Sequence, residues 1–195
     1  MQTEIIKSLE HSENTEVPMA LKKRVAELIL RAREKHAKPF WLIIIVGWRK
    51  RWQGSAVTPD SSQDLFSGRN ILEPAAPGQP RITTTLHFDG AILIDREGNI
   101  LHSGVMIEGL RPREAAAEIN PGEFTDLSVQ FGFKQKVHTR HLTAITASHQ
   151  FKGTTVFTVS EESGRIHIFE DGKIIYASPR KTQKRFALIH NLLRK

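Results

Sequence analysis

Seven consecutive apolar residues, Phe40-Trp41-Leu42-Ile43-Ile44-Ile45-Val46, end at Gly47 and constrain this chain more than any other stretch. The run is far shorter than the roughly 20 residues that a membrane-spanning helix requires. It reads as a strand buried on both faces, because a strand with one face in water would alternate apolar with polar residues. Before it, Leu21, Val25, Leu28, Ile29 and Ala32 recur at helical spacing with Lys22, Lys23, Arg24, Arg31 and Arg33 around them, which predicts an amphipathic helix from Met19 to Lys38. Pro39 would end that helix, since its ring disfavours helix in the residue before it. Residues 1–17 show no sustained period and are expected to fray or pack loosely.

After Gly47, the stretch from Trp48 to Pro80 is broken by Gly68, Pro74, Pro77 and Gly78, and reads as an irregular connection. A helical turn near Asp60 or Ser61 is expected to bury Leu65 and Phe66. His87–Asp95 and Asn99–Glu108 are apolar-rich runs separated by Arg96-Glu97-Gly98, a loop suited to a β-hairpin. A short helix is expected at Arg113–Ile119, and a longer one from Thr139, the residue type of an N-cap, to about Phe151. Thr155–Ser160, Arg165–Phe169 and Lys173–Ala177 follow as strands joined by tight turns. Pro179 separates them from a final helix, Lys181–Leu193, in which Phe186, Ile189, Leu192 and Leu193 share a face.

A chain of 195 residues suits one substantial core. The expected division is an extension and helix over 1–38, a domain over 39–178 and a basic helical tail over 179–195. With no cysteine, thiolate metal sites and disulfides are excluded. The first twenty residues show no apolar signal-peptide core, and a cytoplasmic location is expected. The formal net charge is +7, with basic knots at Arg49-Lys50-Arg51 and over Arg180–Lys195. This excess admits nucleotides, nucleic acid or a phospholipid surface as partners, although a charge run alone reads first as a solvated tail.

Three polar clusters stand against apolar segments. Asp89-Gly90 opens Ala91-Ile92-Leu93-Ile94, Thr139-Arg140-His141 opens a helix, and Ser160-Glu161-Glu162-Ser163-Gly164 closes the strand that ends at Val159. Backbone N–H groups at a helix start, beside Arg140 and His141, suit a phosphate. In order and spacing from Leu42 to Ala177, these clusters and the following Asp171-Gly172 resemble the diadenylate cyclase (DAC) domain, the nucleotide-binding domain of DisA-type proteins.

The resemblance implies an α/β (α+β) fold with a single mixed β-sheet flanked by helices, and one ATP bound per chain. It also implies that two chains meet face to face, each ATP 3′-hydroxyl attacking the other's α-phosphate to give cyclic di-AMP and two pyrophosphates. A divalent cation, Mg or Mn, assists. Carried onto this chain, Asp89 becomes the catalytic carboxylate, and Gly90, Ala91, Thr139, Arg140, His141 and Ser160 the nucleotide-binding residues. Asp89, Glu161 and Glu162 become the metal ligands. A carboxylate can take the proton of a poor ribose nucleophile, and carboxylate oxygens suit a hard cation. Three positions depart from the pattern: His138 stands where the family usually has Gly before the Thr, Leu142 where it has a second Arg after the His, and Phe88 where one branch of the family has a metal-binding His before the aspartate. These departures leave a second reading, a degenerate relative that senses a nucleotide or cyclic dinucleotide without turning it over. A nucleic-acid-binding module is a third reading, resting on the basic segments alone.

Overall fold

The computed structural model of this protein describes residues 1–36, 38, 40–60, 63–83 and 90–179. The expected stop at Pro39, the turn at Ser61, the cluster His87-Phe88-Asp89 and the helix over 181–193 lie outside these residues.

The first two elements are helices, α1 (Gln2–Glu10) and α2 (Met19–Lys35). Strand β1 (Leu42–Val46) follows, then a 3-10 turn over Lys50–Ser55 and two short strands, β2 (Ala56–Val57) and β3 (Arg69–Asn70). The hairpin is β4 (Ala91–Ile94) and β5 (Asn99–Ile107), succeeded by α3 (Pro112–Ile119), a single turn α4 (Leu127–Gln130) and α5 (Thr139–Gln150). A meander, β6 (Thr155–Val159), β7 (Ile166–Glu170) and β8 (Lys173–Ala177), closes the described chain.

All eight strands form one sheet in the order β2-β5-β4-β1-β6-β7-β8, with β3 also on β5. It is a mixed sheet flanked by helices: β1 runs parallel to β4 and antiparallel to β6, and the other pairings are antiparallel. The apolar run therefore occupies the middle, and its pleat divides it. Leu42, Ile44 and Val46 enter the core beneath α1 and α2, while Ile43 and Ile45 enter the second core beneath α3 and α5. Each such side chain contributes about 1.5–3 kcal/mol on burial, so one strand supports both layers.

The N-terminal segment is not loose. Helix α1 buries Ile5 and Leu9 completely, four residues apart and so on one face, a signal too short to read as a period. A buried polar cluster also ties this segment to the sheet. Lys22 Nζ lies 2.8 Å from Glu170 Oε1, and both side chains are almost wholly buried. Thr155 Oγ1 donates to Glu170 Oε1 at 2.6 Å, Ser12 donates to the other carboxylate oxygen, and Lys22 donates to the Asn14 carbonyl at 2.6 Å. A buried ion pair needs such partners to offset its desolvation.

Helix α2 ends at Lys35, three residues before the expected Lys38, and His36 turns extended. There its Nε2 lies 3.2 Å from the Thr83 carbonyl and its ring packs edge-on to Phe40. A turn does start at Asp60, whose carbonyl accepts from Gln63 N at 2.8 Å, and Phe66 beyond it is buried. Asp64 then pins this loop to β5, accepting from Ser103 N at 2.7 Å and Ser103 Oγ at 2.8 Å and meeting His102 Nδ1 at 3.0 Å. Burial opposes ionisation of Asp64, but these hydrogen bonds win and hold its carboxyl below the ordinary range.

Within the basic knot, Arg49 pairs with Glu16, and both Arg49 and Arg51 lie over the Trp52 ring, so two of its three charges have structural partners. Among the described residues no helix is long and apolar enough to cross a membrane.

Candidate nucleotide site

The start of α5, the β6–β7 turn and the residue before β1 converge on one spot. Adjacent antiparallel pairing of β1 with β6 sets Leu42 opposite Val159, so Trp41 and Ser160 emerge together at that end of the sheet. Helix α5, packed on the same strands through Ala144, Ile145 and Ala147, starts beside them.

The helix begins one residue earlier than expected. His138 is the N-cap, with extended backbone and no capping side-chain hydrogen bond, and Thr139 is the first helical residue, exposed. Among the described residues no side chain caps the N–H groups of the helix start. Arg140 lies over the Trp41 ring, its guanidinium carbon 4.6 Å from the centroid, and its Nη1 donates to Glu161 Oε2 at 2.6 Å. His138 Nε2 lies 3.0 Å from Glu162 Oε1. These two contacts lace α5 to the β6–β7 turn. Ser160 is built into that turn: its N–H donates to the Arg165 carbonyl at 2.9 Å and its own carbonyl accepts from Gly164 N at 2.7 Å.

His141 points inward, and neither ring nitrogen has a partner among the described residues. Its ring lies 4.7 Å from that of His167, edge to face, and 6.2 Å from Phe133. Burial first, then the charges of His138 and Arg165, hold His141 below its ordinary 6.5. For His167, 5% exposed, burial with the charges of His141 and Arg165 lowers the pKa to about 3. Both rings are neutral at pH 7 and can each offer one N–H donor and one acceptor nitrogen.

Two hollows open here. One of about 50 Å³ lies under Trp41, Arg140 and Glu161. The other, about 570 Å³, lies between residues 132–138 and the β6–β7 turn, with Lys134, Lys136 and Arg165 on its walls. They share His138, His141, Ser160 and Glu162, and only the larger has room for a nucleotide.

Of the expected site residues, Arg140, His141, Ser160, Glu161 and Glu162 are brought together, with Thr139 exposed at their edge. Asp89 lies outside the described residues. Gly90 and Ala91 serve the fold visibly: Ala91 is buried against α5's core, and Gly90 has φ +104 with its missing Cβ aimed at the Gly104 carbonyl carbon, 2.3 Å from where a Cβ would stand. The space that Gly90 leaves open is thus filled by the backbone of β5. Leu142, where the family pattern has Arg, packs against the second core. His167 was not anticipated; its place two residues before Phe169, on one strand face, is the signal that finds it.

Carboxylate oxygens at Glu161 and Glu162 have the chemistry for a divalent cation, but Arg140 and His138 already engage them. Among the described residues no three potential ligands cluster. The described residues do not by themselves fit a metal ion, and no step below passes through one.

The family model for the DAC domain, described as DisA bacterial checkpoint controller nucleotide-binding, matches residues 79–174. The match spans 96 of the 195 residues. The matched segment contains β4 to β7 and every expected site residue from Asp89 to Glu162, while α1, α2 and β1 precede it. No curated protein matches the chain. Among solved structures it is similar to a hypothetical membrane spanning protein from Bacillus cereus, with 16% identity, 91% of this chain and 87% of that one covered, and a TM-score of 0.47. It is also similar to a double mutant of DacA from Staphylococcus aureus, with 18% identity, 89% and 93% covered, and a TM-score of 0.43.

Proposed function

We propose that this chain is a diadenylate cyclase, condensing two ATP molecules into cyclic di-AMP with release of two pyrophosphates. The observation that most supports this reading is Arg140 at an uncapped helix start, beside Ser160 and the neutral His141, within the matched segment.

In the proposed reaction each ribose 3′-oxygen bonds to the other nucleotide's α-phosphorus, the bond to the bridging oxygen breaks, and pyrophosphate leaves with that electron pair. Asp89 receives the hydroxyl proton. Arg140 and the backbone N–H groups of Thr139 and Arg140 hold phosphate oxygens, with hydrogen bonds that strengthen as charge develops on the leaving pyrophosphate. The pair that now holds Arg140 is no obstacle. Its side chains are 50% and 57% exposed, and an exposed pair contributes at most about 1 kcal/mol, less than a phosphate contact returns. His141, being neutral, donates or accepts a hydrogen bond and adds no charge. A second copy of the chain supplies the other ATP.

Leu142 favours one alternative. With that side chain packed against the core, the phosphate cradle has a single arginine on α5, which suits a domain that binds a nucleotide or cyclic dinucleotide without turnover. Incubation of the purified protein with ATP and either Mg²⁺ or Mn²⁺, followed by mass analysis for cyclic di-AMP, separates the two: product establishes the cyclase, and binding without product establishes the sensor. Binding of neither ATP nor cyclic dinucleotide overturns both.

A further inference from the structure

On the opposite face of the sheet, α2 carries Arg24, Arg31 and Lys35 at positions that form one helical stripe, four and seven residues apart. The chain from Phe66 to Thr83 arches over this stripe and borders a half-open cavity of about 520 Å³, whose far wall bears Arg69 and Arg81. One carboxylate, Glu73, is on its lining. None of its residues belongs to the DAC-site hollows.

The way these cations are held distinguishes the cavity from a solvated basic surface. Arg24 Nε donates to the Ile71 carbonyl at 3.0 Å. Arg69 donates to the Pro80 carbonyl at 2.5 Å and the Leu65 carbonyl at 2.9 Å. Neutral carbonyls fix a guanidinium in place without cancelling its charge, and they leave other N–H groups to donate. Among the described residues Arg24 has a carboxylate only at 3.7 Å, from Glu27. Arg31 and Lys35, like charges one helical turn apart, make no ion pair among the described residues. Like charges so placed repel, and a bound anion relieves that repulsion. The floor is apolar, with Leu28, Phe66 and Ile82, so one end of a ligand is met by charge and the other by hydrocarbon.

We propose that this cavity is a second ligand site, taking a phosphorylated small molecule of nucleotide size. Its volume falls in the range of small-molecule sites, about 300–1,000 Å³. Its cations line a concavity and do not run along an open face, which favours a small phosphate ester over a nucleic-acid strand.

The site can be tested apart from the cyclase reading by working in an Arg140→Ala background, which removes the phosphate contact on α5. Calorimetric titration of the full chain with inorganic phosphate, pyrophosphate, AMP and ATP should still show one site per chain, and AMP should bind more tightly than inorganic phosphate because the apolar floor adds to the phosphate contact. Adding Arg31→Ala and Lys35→Ala, both at exposed positions, should weaken binding at least about tenfold, the loss expected for charge-assisted hydrogen bonds. Arg31→Lys with Lys35→Arg, which keeps the charge, should restore most of it. Absence of any binding in the Arg140→Ala background, or an affinity unchanged by the alanine pair, overturns the proposal. So does binding of a 20-residue oligonucleotide through Arg31 and Lys35 with no binding of the small phosphates.

Discussion

His167 should make this protein acid-sensitive by an amount that can be worked out. Its ring is buried among Phe133, Phe169 and His141, near Arg165, and its Nδ1 has no partner among the described residues. In the folded chain it titrates at about 3 in place of 6.5. A base whose folded pKa is depressed takes its proton in the unfolded state first. Its contribution to stability is therefore complete above about pH 6.5, falls as the pH drops below that value, and is exhausted near pH 3. With these two values the loss between pH 7 and pH 5 is about 2 kcal/mol, rising to about 4 kcal/mol by pH 3. For a domain of this size that is a fall of about 4–8 °C in Tm from pH 7 to pH 5. His141, shifted in the same direction, adds to the trend. The matched variant is His167→Leu, similar in volume and unable to titrate. Urea unfolding from pH 7 to pH 5 should show the wild type losing about 2 kcal/mol more than the variant. Parallel curves for the two proteins, or an NMR titration placing the His167 ring above pH 5, would refute the reasoning.

Lys22→Met should destabilise the fold by about 3–5 kcal/mol, since it leaves Glu170 buried without its cation; chemical unfolding checks this, and a loss under 1 kcal/mol would contradict it. Gly90→Ala, at φ +104 and against the Gly104 backbone, should cost more than about 1 kcal/mol by thermal unfolding. Asp89→Asn should abolish cyclic di-AMP formation while leaving ATP binding largely intact, whereas Arg140→Ala should weaken ATP binding itself; equal ATP affinities in the two variants would contradict these roles. Because the proposed reaction needs two chains, turnover per chain should rise with protein concentration before a plateau, and turnover independent of concentration where sedimentation shows only monomer would exclude the face-to-face mechanism.

Local pattern determined much of this molecule. The apolar run of β1, the β4–β5 hairpin around Gly98, the β6–β7–β8 meander and the helix over α2 are each specified by neighbours in sequence, through periodicity and turn residues. So was the grouping of Arg140, His141, Ser160, Glu161 and Glu162, because these two polar clusters sit where a helix begins and a strand ends, and such ends gather at one edge of a sheet. Their family pattern was legible for the same reason.

What only the tertiary structure decided are relations between residues far apart in the chain. Lys22 reads as one of several cations around an amphipathic helix; only the closeness of α2 to β7 turns it into the buried partner of Glu170. His167 reads as a polar interruption of a strand until α5 brings His141 against it, and desolvation, a property of the whole surround, then sets its pKa. Gly90 reads as a turn glycine until β5 fills the space beside it. The arginines of α2 look like a solvated face until the chain from Phe66 to Thr83 arches over them. Sequence specifies contacts within about one turn of helix or one hairpin, whereas burial, and the charge state that burial imposes, exists only once distant segments have excluded water together.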